Sequence, residues 1–368
     1  MASSQAFQPG WASAPGETIA DLLAGRDLSI EDFANLIDET PEAVTSLLEG
    51  RATISIGIAR RLEQVLGSSV EFWMSRDYQY REDISRLHEA EQDWLRDLPI
   101  GDMIRFGWLS PTPHPSDEAA ACLSFFGVPS LASWRRAYGG LEQMAAFRTA
   151  RAFDSRPGAV AAWLRRGEVE AEEIETKPWD AADFKDCLSD LRSLTRRHDP
   201  DHFIPELRER CAETGVAIVV VRAPAGCRAS GAVRFLTPDK AMVQLSFRYL
   251  SDDQFWFTFF HEAGHLLLHR ERIALLEALR GDRCGLLEET DPLSDAEEQE
   301  ASDFAAGVLV PPAFQAGLES VPLDSRSVIK FSARLGVSPG IVVGQLQHLG
   351  RIAPSRLNRL KRRYQWED

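Results

Sequence analysis

Several features of secreted, membrane-bound and nucleic-acid-coating proteins are missing or scarce in this chain. Its five cysteines are Cys122, Cys187, Cys211, Cys227 and Cys284, in 368 residues. The number is odd and no two stand in Cys-x-x-Cys spacing, so neither a paired disulfide framework nor a cysteine zinc site fits. Reduced thiols in a cytoplasmic protein are expected. No apolar run approaches the ~20 residues that span a membrane. Residues 1–16 are polar and rich in Gly, Pro and Ser, unlike a secretory signal. Positive charge is short as well: 41 Lys and Arg face 56 Asp and Glu, a net charge of −15. A surface that binds nucleic acid generally is therefore excluded. The hydrophobic content of 44% is ordinary for globular protein, and the length suits two or three domains.

Against this background one stretch stands out, Phe255 to His269, where His261-Glu262-Ala263-Gly264-His265 interrupts an apolar helical run. Residues four apart share a helix face. His261 and His265 can thus present two imidazoles to one metal ion, and Glu262 stands where a general base would reach water at that ion. A helix this apolar does not bury two histidines and a glutamate without a polar purpose. Catalytic zinc takes a third protein ligand and keeps one position open. His269 is excluded from that role, because eight residues of helix separate it from His261 by ~12 Å. The segment Asp295–Pro311 forms a second helix with Ala301, Phe304, Ala305 and Val308 inward. Glu297 and Glu300 border that stripe and can both approach the histidines; Glu300 is the preferred ligand, and Glu298 reads as a solvated position.

The rest of the chain divides as follows. Residues 1–15 are a tail. Residues 16–80 form five short helices: Glu17–Ala24, one begun by Ser29 with Asp32 three residues on, Pro41–Leu48, Ile56–Leu66 and Val70–Ser75. Ser29, Thr40 and Ser55 are the expected N-caps, and Pro41 sits at a favoured first position. Two helices joined by a tight turn within such a set make a helix-turn-helix. Residues 81–200 form a helical linking domain, with helices at Glu118–Phe126, Leu131–Tyr138, Leu141–Arg151 and Gly158–Arg166. The acidic run Glu168–Glu175 is expected to be a solvated face. From 201 to 320 the pattern is α+β: a helix at Phe203–Thr214, strands at Val216–Val221, Ala232–Leu236 and Ala241–Leu245, then the two motif helices. Residues 321–368 are a C-terminal helical segment. The fold class is α+β, mostly helical.

Two resemblances add to this reading. Leu28 to Ala34, Leu47 to Arg51, Ala59 to Glu63 and Val70 to Trp73 resemble XRE-type helix-turn-helix domains of the HigA-like antitoxin kind. Asp38 stands where such domains commonly carry Gly. Residues 202–312 look like ImmA/IrrE-type zinc metallopeptidases, through Ser230-Gly231-Ala232, Phe257-Thr258 to His269, and Glu300-Ala301-Ser302-Asp303-Phe304-Ala305. That resemblance implies a zincin-like domain with one Zn2+ per chain on His261, His265 and Glu300, and Glu262 as general base. Ser302 departs from the family's usual Asn or Asp, and Gln345 stands where Arg is usual. Tyr249 and His348 lie in matching segments and are the candidate donors to the transition-state oxyanion.

The function that the family resemblance implies is cleavage of a specific partner protein, of the repressor or antitoxin type, in a stress, mobile-element or toxin–antitoxin circuit. An antitoxin-like DNA-binding regulator with a metal domain used as sensor or scaffold is the competing class. DNA binding is expected to be weak. Between residues 16 and 50 stand nine acids and a single base, Arg26, a balance of −8, whereas affinity for DNA rests on neutralising phosphates. Pro41–Leu48 also offers no Arg, Lys, Asn or Gln to base edges. No membrane partner is expected, and a homodimer is compatible with the sequence.

Overall fold

The computed structural model describes residues 11–112, 114, 117–148, 155–270 and 295–366. Of the five thiols, Cys284 lies outside the described residues, as do most of the N-terminal tail and the last residues of the helix expected at Leu141–Arg151. The chain divides into two compact units after Arg96.

Five helices build the first unit: α1 (Pro15–Ala24), α2 (Ile30–Leu36), α3 (Pro41–Leu48), α4 (Ile56–Leu66) and α5 (Val70–Asp97). The three expected caps are made. Ser29 Oγ accepts from the Asp32 amide at 3.0 Å, Thr40 Oγ1 from Ala43 at 3.2 Å and Ser55 Oγ from Ile58 at 3.2 Å. Each satisfies an amide that the helix leaves without a partner and contributes roughly 1 kcal/mol. Ile19, Phe33, Val44, Leu62 and Trp73 close the core. Asp38 has φ +53°, the left-handed conformation that Gly adopts without cost. The fifth helix does not stop at Ser75 but continues to Asp97. No Gly or Pro interrupts it, and ion pairs one turn apart, Asp77–Arg81 and Asp83–Arg86, run along it.

The second unit begins with helices α6 (Ile100–Arg105), α7 (Glu118–Phe126), α8 (Leu131–Arg148), α9 (Pro157–Glu172), α10 (Ala181–Leu191) and α11 (Pro200–Ala212). Leu131–Tyr138 and the described part of the following segment are one helix, α8, because Gly139-Gly140 costs helical stability without ending the helix. The acidic run is not simply a solvated face. It continues α9, and Glu168 is buried against Arg165 and Arg234. Burying that carboxylate demands such partners.

Strands β1 (Val216–Val220), β2 (Gly231–Thr237) and β3 (Lys240–Leu245) form a sheet in the order β1-β3-β2. β3 pairs parallel to β1 and antiparallel to β2, with Val243 opposite both Ile218 and Val233. Alternate residues Ala241, Val243 and Leu245 enter the main apolar core. Gln244 points to the other face, where its amide donates to the Trp163 carbonyl of α9 at 2.7 Å. The core face receives α12 (Asp252–Leu268), through Phe255, Trp256, Phe259 and Phe260. Helices α13 (Asp295–Leu309), α14 (Pro312–Ser320), α15 (Ser325–Leu335) and α16 (Pro339–His348) complete the unit.

The start of α12 is tied down by the C-terminal segment. Asp252 accepts from Ser338 Oγ at 2.7 Å and from the Arg362 amide at 3.0 Å, and Lys361 Nζ lies 2.6 Å from Asp253 Oδ2. Burial raises the Asp252 carboxyl above its ordinary value, and the Ser338 and Arg362 hydrogen bonds oppose that rise.

Candidate metal centre

The motif residues lie on α12, with His261 half-buried and Glu262 and His265 buried. One helical turn brings the two imidazoles together, with Nε2 atoms 3.0 Å apart. The other ring nitrogens are engaged elsewhere. His261 Nδ1 lies 3.3 Å from Ser302 Oγ, and His265 Nδ1 lies 3.1 Å from His269 Nδ1. His269 Nε2 is in turn 3.1 Å from Glu300 Oε2. Partners on Nδ1 set ring tautomer and orientation, which leaves both Nε2 lone pairs to face a shared cation.

The acid that meets these Nε2 atoms is Glu298. Its carboxylate oxygens stand 3.3 Å from His261 Nε2 and 3.9 Å from His265 Nε2. Among the described residues His261, His265 and Glu298 form the group able to hold a metal, with ligand atoms all within 4.8 Å of one another. Three ligands ~2.1 Å from one tetrahedral zinc lie about 3.4 Å apart. The two nitrogens stand 3.0 Å apart and each meets a different oxygen of Glu298, at 3.3 and 3.9 Å, so the donor set fits zinc in type.

Glu300 is therefore not brought to the two histidines. Its side chain is 65% exposed and pairs with His269. The reason is helical phase. Glu298 stands three residues before Ala301, on the α13 stripe that carries Ala301 and Ala305 into the core, whereas Glu300 is rotated two residues away from it. Extending that stripe one turn toward the N-terminus reaches Glu298, a signal present in the sequence. Ser302, one turn after Glu298, makes the 3.3 Å contact with His261 Nδ1.

Two glycines let neighbouring elements approach α12. A Cβ at Gly264 would meet Phe304 Cδ1 at 3.1 Å and Ala301 Cα at 3.3 Å, so glycine here allows α13 to close and present Glu298. A Cβ at Gly231 would lie 2.6 Å from both Glu262 Oε1 and Thr258 Cγ2. The edge strand β2 thus passes directly over the Glu262 carboxylate.

Tyr249 and His348 lie on separate segments, the loop before α12 and the end of α16. Tyr249 is 45% exposed on the loop between β3 and α12, with the Arg248 guanidinium 5.0 Å from its ring centre. Phe247 and Leu250, on either side, both have φ +50°, a costly conformation for bulky residues. It is held by hydrogen bonds from the Tyr364 amide to the Leu250 carbonyl and from Arg363 to the Tyr249 carbonyl. His348 ends α16. Its ring lies 6.4 Å from Phe257, whose ring lies 6.2 Å from His261.

Comparison with known families fits both units. Residues 19–73 match the helix-turn-helix family, and residues 214–346 match the IrrE N-terminal-like domain of peptidase family M78. One stretch of the chain is thus similar to a helix-turn-helix and another to an IrrE N-terminal-like domain. The chain is similar in design to a regulator with a metallopeptidase-like domain, and a peptidase domain of this family implies a metal. An uncharacterized HTH-type transcriptional regulator, YddM of Escherichia coli (strain K12), is 31% identical over 61 residues, 17% of this chain and 65% of that protein. The match therefore spans less than two thirds of that relative. Among the described residues no helix is long and apolar enough to cross a membrane.

Proposed function

We propose that this protein is a zinc-dependent endopeptidase that cleaves a specific partner protein of the repressor or antitoxin type, and that its helix-turn-helix docks DNA or that partner. The observation that carries this reading is the convergence of His261 Nε2, His265 Nε2 and Glu298 beside the Glu262 carboxylate, under an edge strand. A zinc bound there would supply Lewis acidity toward a water and the scissile carbonyl. His261, His265 and Glu298 would hold it, with Ser302, His269 and Glu300 contacting the imidazoles.

The remaining roles belong to the chain itself. Glu262 takes the proton from the attacking water and passes it to the leaving amine. An extended substrate adds to the outer edge of β2, where main-chain hydrogen bonds align it, and Gly231 lets that strand lie close over Glu262. Tyr249 and His348 are the donors available to the oxyanion.

The printed name of the relative, a transcriptional regulator, supports a second reading in which the metal domain senses or scaffolds and cleaves little. One experiment separates the two. New protein N termini are compared in cells expressing the wild-type chain or Glu262→Gln, with zinc content measured on both purified proteins. The peptidase reading expects equal zinc and the loss of at least one cleavage product, a rate falling by roughly a hundred- to ten-thousand-fold. Identical N-terminal profiles with zinc retained would transfer the function to regulation.

A further inference from the structure

Beside the metal centre lies a cavity of about 190 Å³. Its position follows from helix geometry. Asp253, Phe257, His261 and His265 stand four residues apart on one face of α12, so the cavity lined by Asp253 and Phe257 opens one turn, ~6 Å, before the first histidine. Helix α13 also contributes to the lining. Glu298 lies at its metal end, and Leu309, three turns on, lines the cavity. Ile341 and His348 of α16 close it. The stacked row His261–Phe257–His348 runs from the metal centre to its rim.

The lining describes the occupant. Phe257, Leu309 and Ile341 offer apolar walls. The one acid in the wall, Asp253, is buried and already paired with Lys361 Nζ at 2.6 Å. A cationic side chain would find its counter-charge taken, and an anionic one would meet the carboxylate. A cavity of about 150 Å³ lined by similar residues holds benzene, so this one accommodates a leucine- or phenylalanine-sized group.

We infer that this cavity is a specificity pocket that takes one large apolar side chain of the substrate next to the scissile bond. The inference rests on the peptidase reading and deepens it: the cleaved partner carries Leu, Met, Ile or Phe at that position. Gln254 and His348, the exposed residues of the lining, face the flanking backbone, and Phe257 couples the seated side chain to the His261 ring.

The test uses binding rather than turnover. Short peptide hydroxamates differing only in the side chain beside the hydroxamate (methyl, isobutyl, benzyl, and guanidinopropyl) are titrated calorimetrically into the zinc-loaded full chain. A methylene in an apolar pocket is worth roughly tenfold or more, so the isobutyl and benzyl compounds are expected to bind at least tenfold tighter than the methyl and guanidinopropyl ones. Ile341→Trp, which fills the cavity, is expected to bring the isobutyl and benzyl compounds to within about threefold of the methyl one. The wild-type series decides by itself if that variant does not fold. Equal affinity across the series, or preference for guanidinopropyl, overturns the pocket while leaving the metal centre standing. Failure of every hydroxamate to bind zinc-loaded protein overturns the metal-centre reading itself, and the pocket with it.

Discussion

The division of labour between Glu298 and Glu300 is the sharpest consequence of the site. On the proposed zinc site Glu298→Ala would remove one of three protein ligands, whereas Glu300→Ala would remove the partner of His269, which in turn contacts His265. Changes at a residue that orients a ligand lower metal affinity by roughly 10- to 100-fold. Glu300→Ala is expected in that range, at its lower end, because its side chain is 65% exposed and water can replace it. Loss of Glu298 should exceed the upper end, since two imidazoles alone leave two zinc positions to solvent. The assay is competition for zinc against a chromogenic chelator of known affinity, with circular dichroism to confirm that both variants fold. The reasoning fails if Glu300→Ala loses zinc more completely than Glu298→Ala. In that case α13 is rotated by two residues relative to the histidines, and the pairing of His269 with Glu300 is not how the site is held.

Other expectations follow from particular contacts. Gly231→Ala puts a methyl 2.6 Å from Glu262 Oε1; it should leave zinc content near wild type while reducing cleavage of the partner at least tenfold, because displacing a reacting group by an ångström can cost a hundredfold, and undiminished cleavage would remove β2 from the site. Residues 1–96, titrated against promoter DNA by fluorescence anisotropy, should bind weakly with a shallow salt dependence, because nine acids face one base between 16 and 50 and that base, Arg26, donates to the Val65 and Leu66 carbonyls; tight sequence-selective binding would refute the charge argument. Burial pushes the Cys122 thiol up to about 12 and the Cys227 thiol up to about 11, so neither should be alkylated at pH 8 until the protein is unfolded, as read by peptide mass mapping. Unfolded thiols lose their protons near 9.0 while these two keep theirs, so their contribution to stability falls as pH rises between about 9 and 12.

What the sequence determined alone was whatever depends on local spacing. The His261–His265 pair follows from four residues per helical step, and the caps at Ser29, Thr40 and Ser55 from hydroxyls placed before apolar-periodic runs. The strands announced themselves by short β-rich runs, two of them joined by the turn Thr237-Pro238-Asp239-Lys240, and they fall within a residue or two of their expected ends. Even Glu298 was encoded in the period of α13, although its charge made it read as solvated. What tertiary structure decided was rotation and approach. Whether Glu298 or Glu300 meets the histidines depends on how α13 is turned about its axis when Ala301 packs on Gly264, a contact between segments 37 residues apart in sequence. Glu168 joined the interior only because β2 brought Arg234 to it. The length of α5 and the cavity between α12, α13 and α16 likewise have no local signature, since a pocket is the space left by elements whose distances no single stretch of sequence specifies.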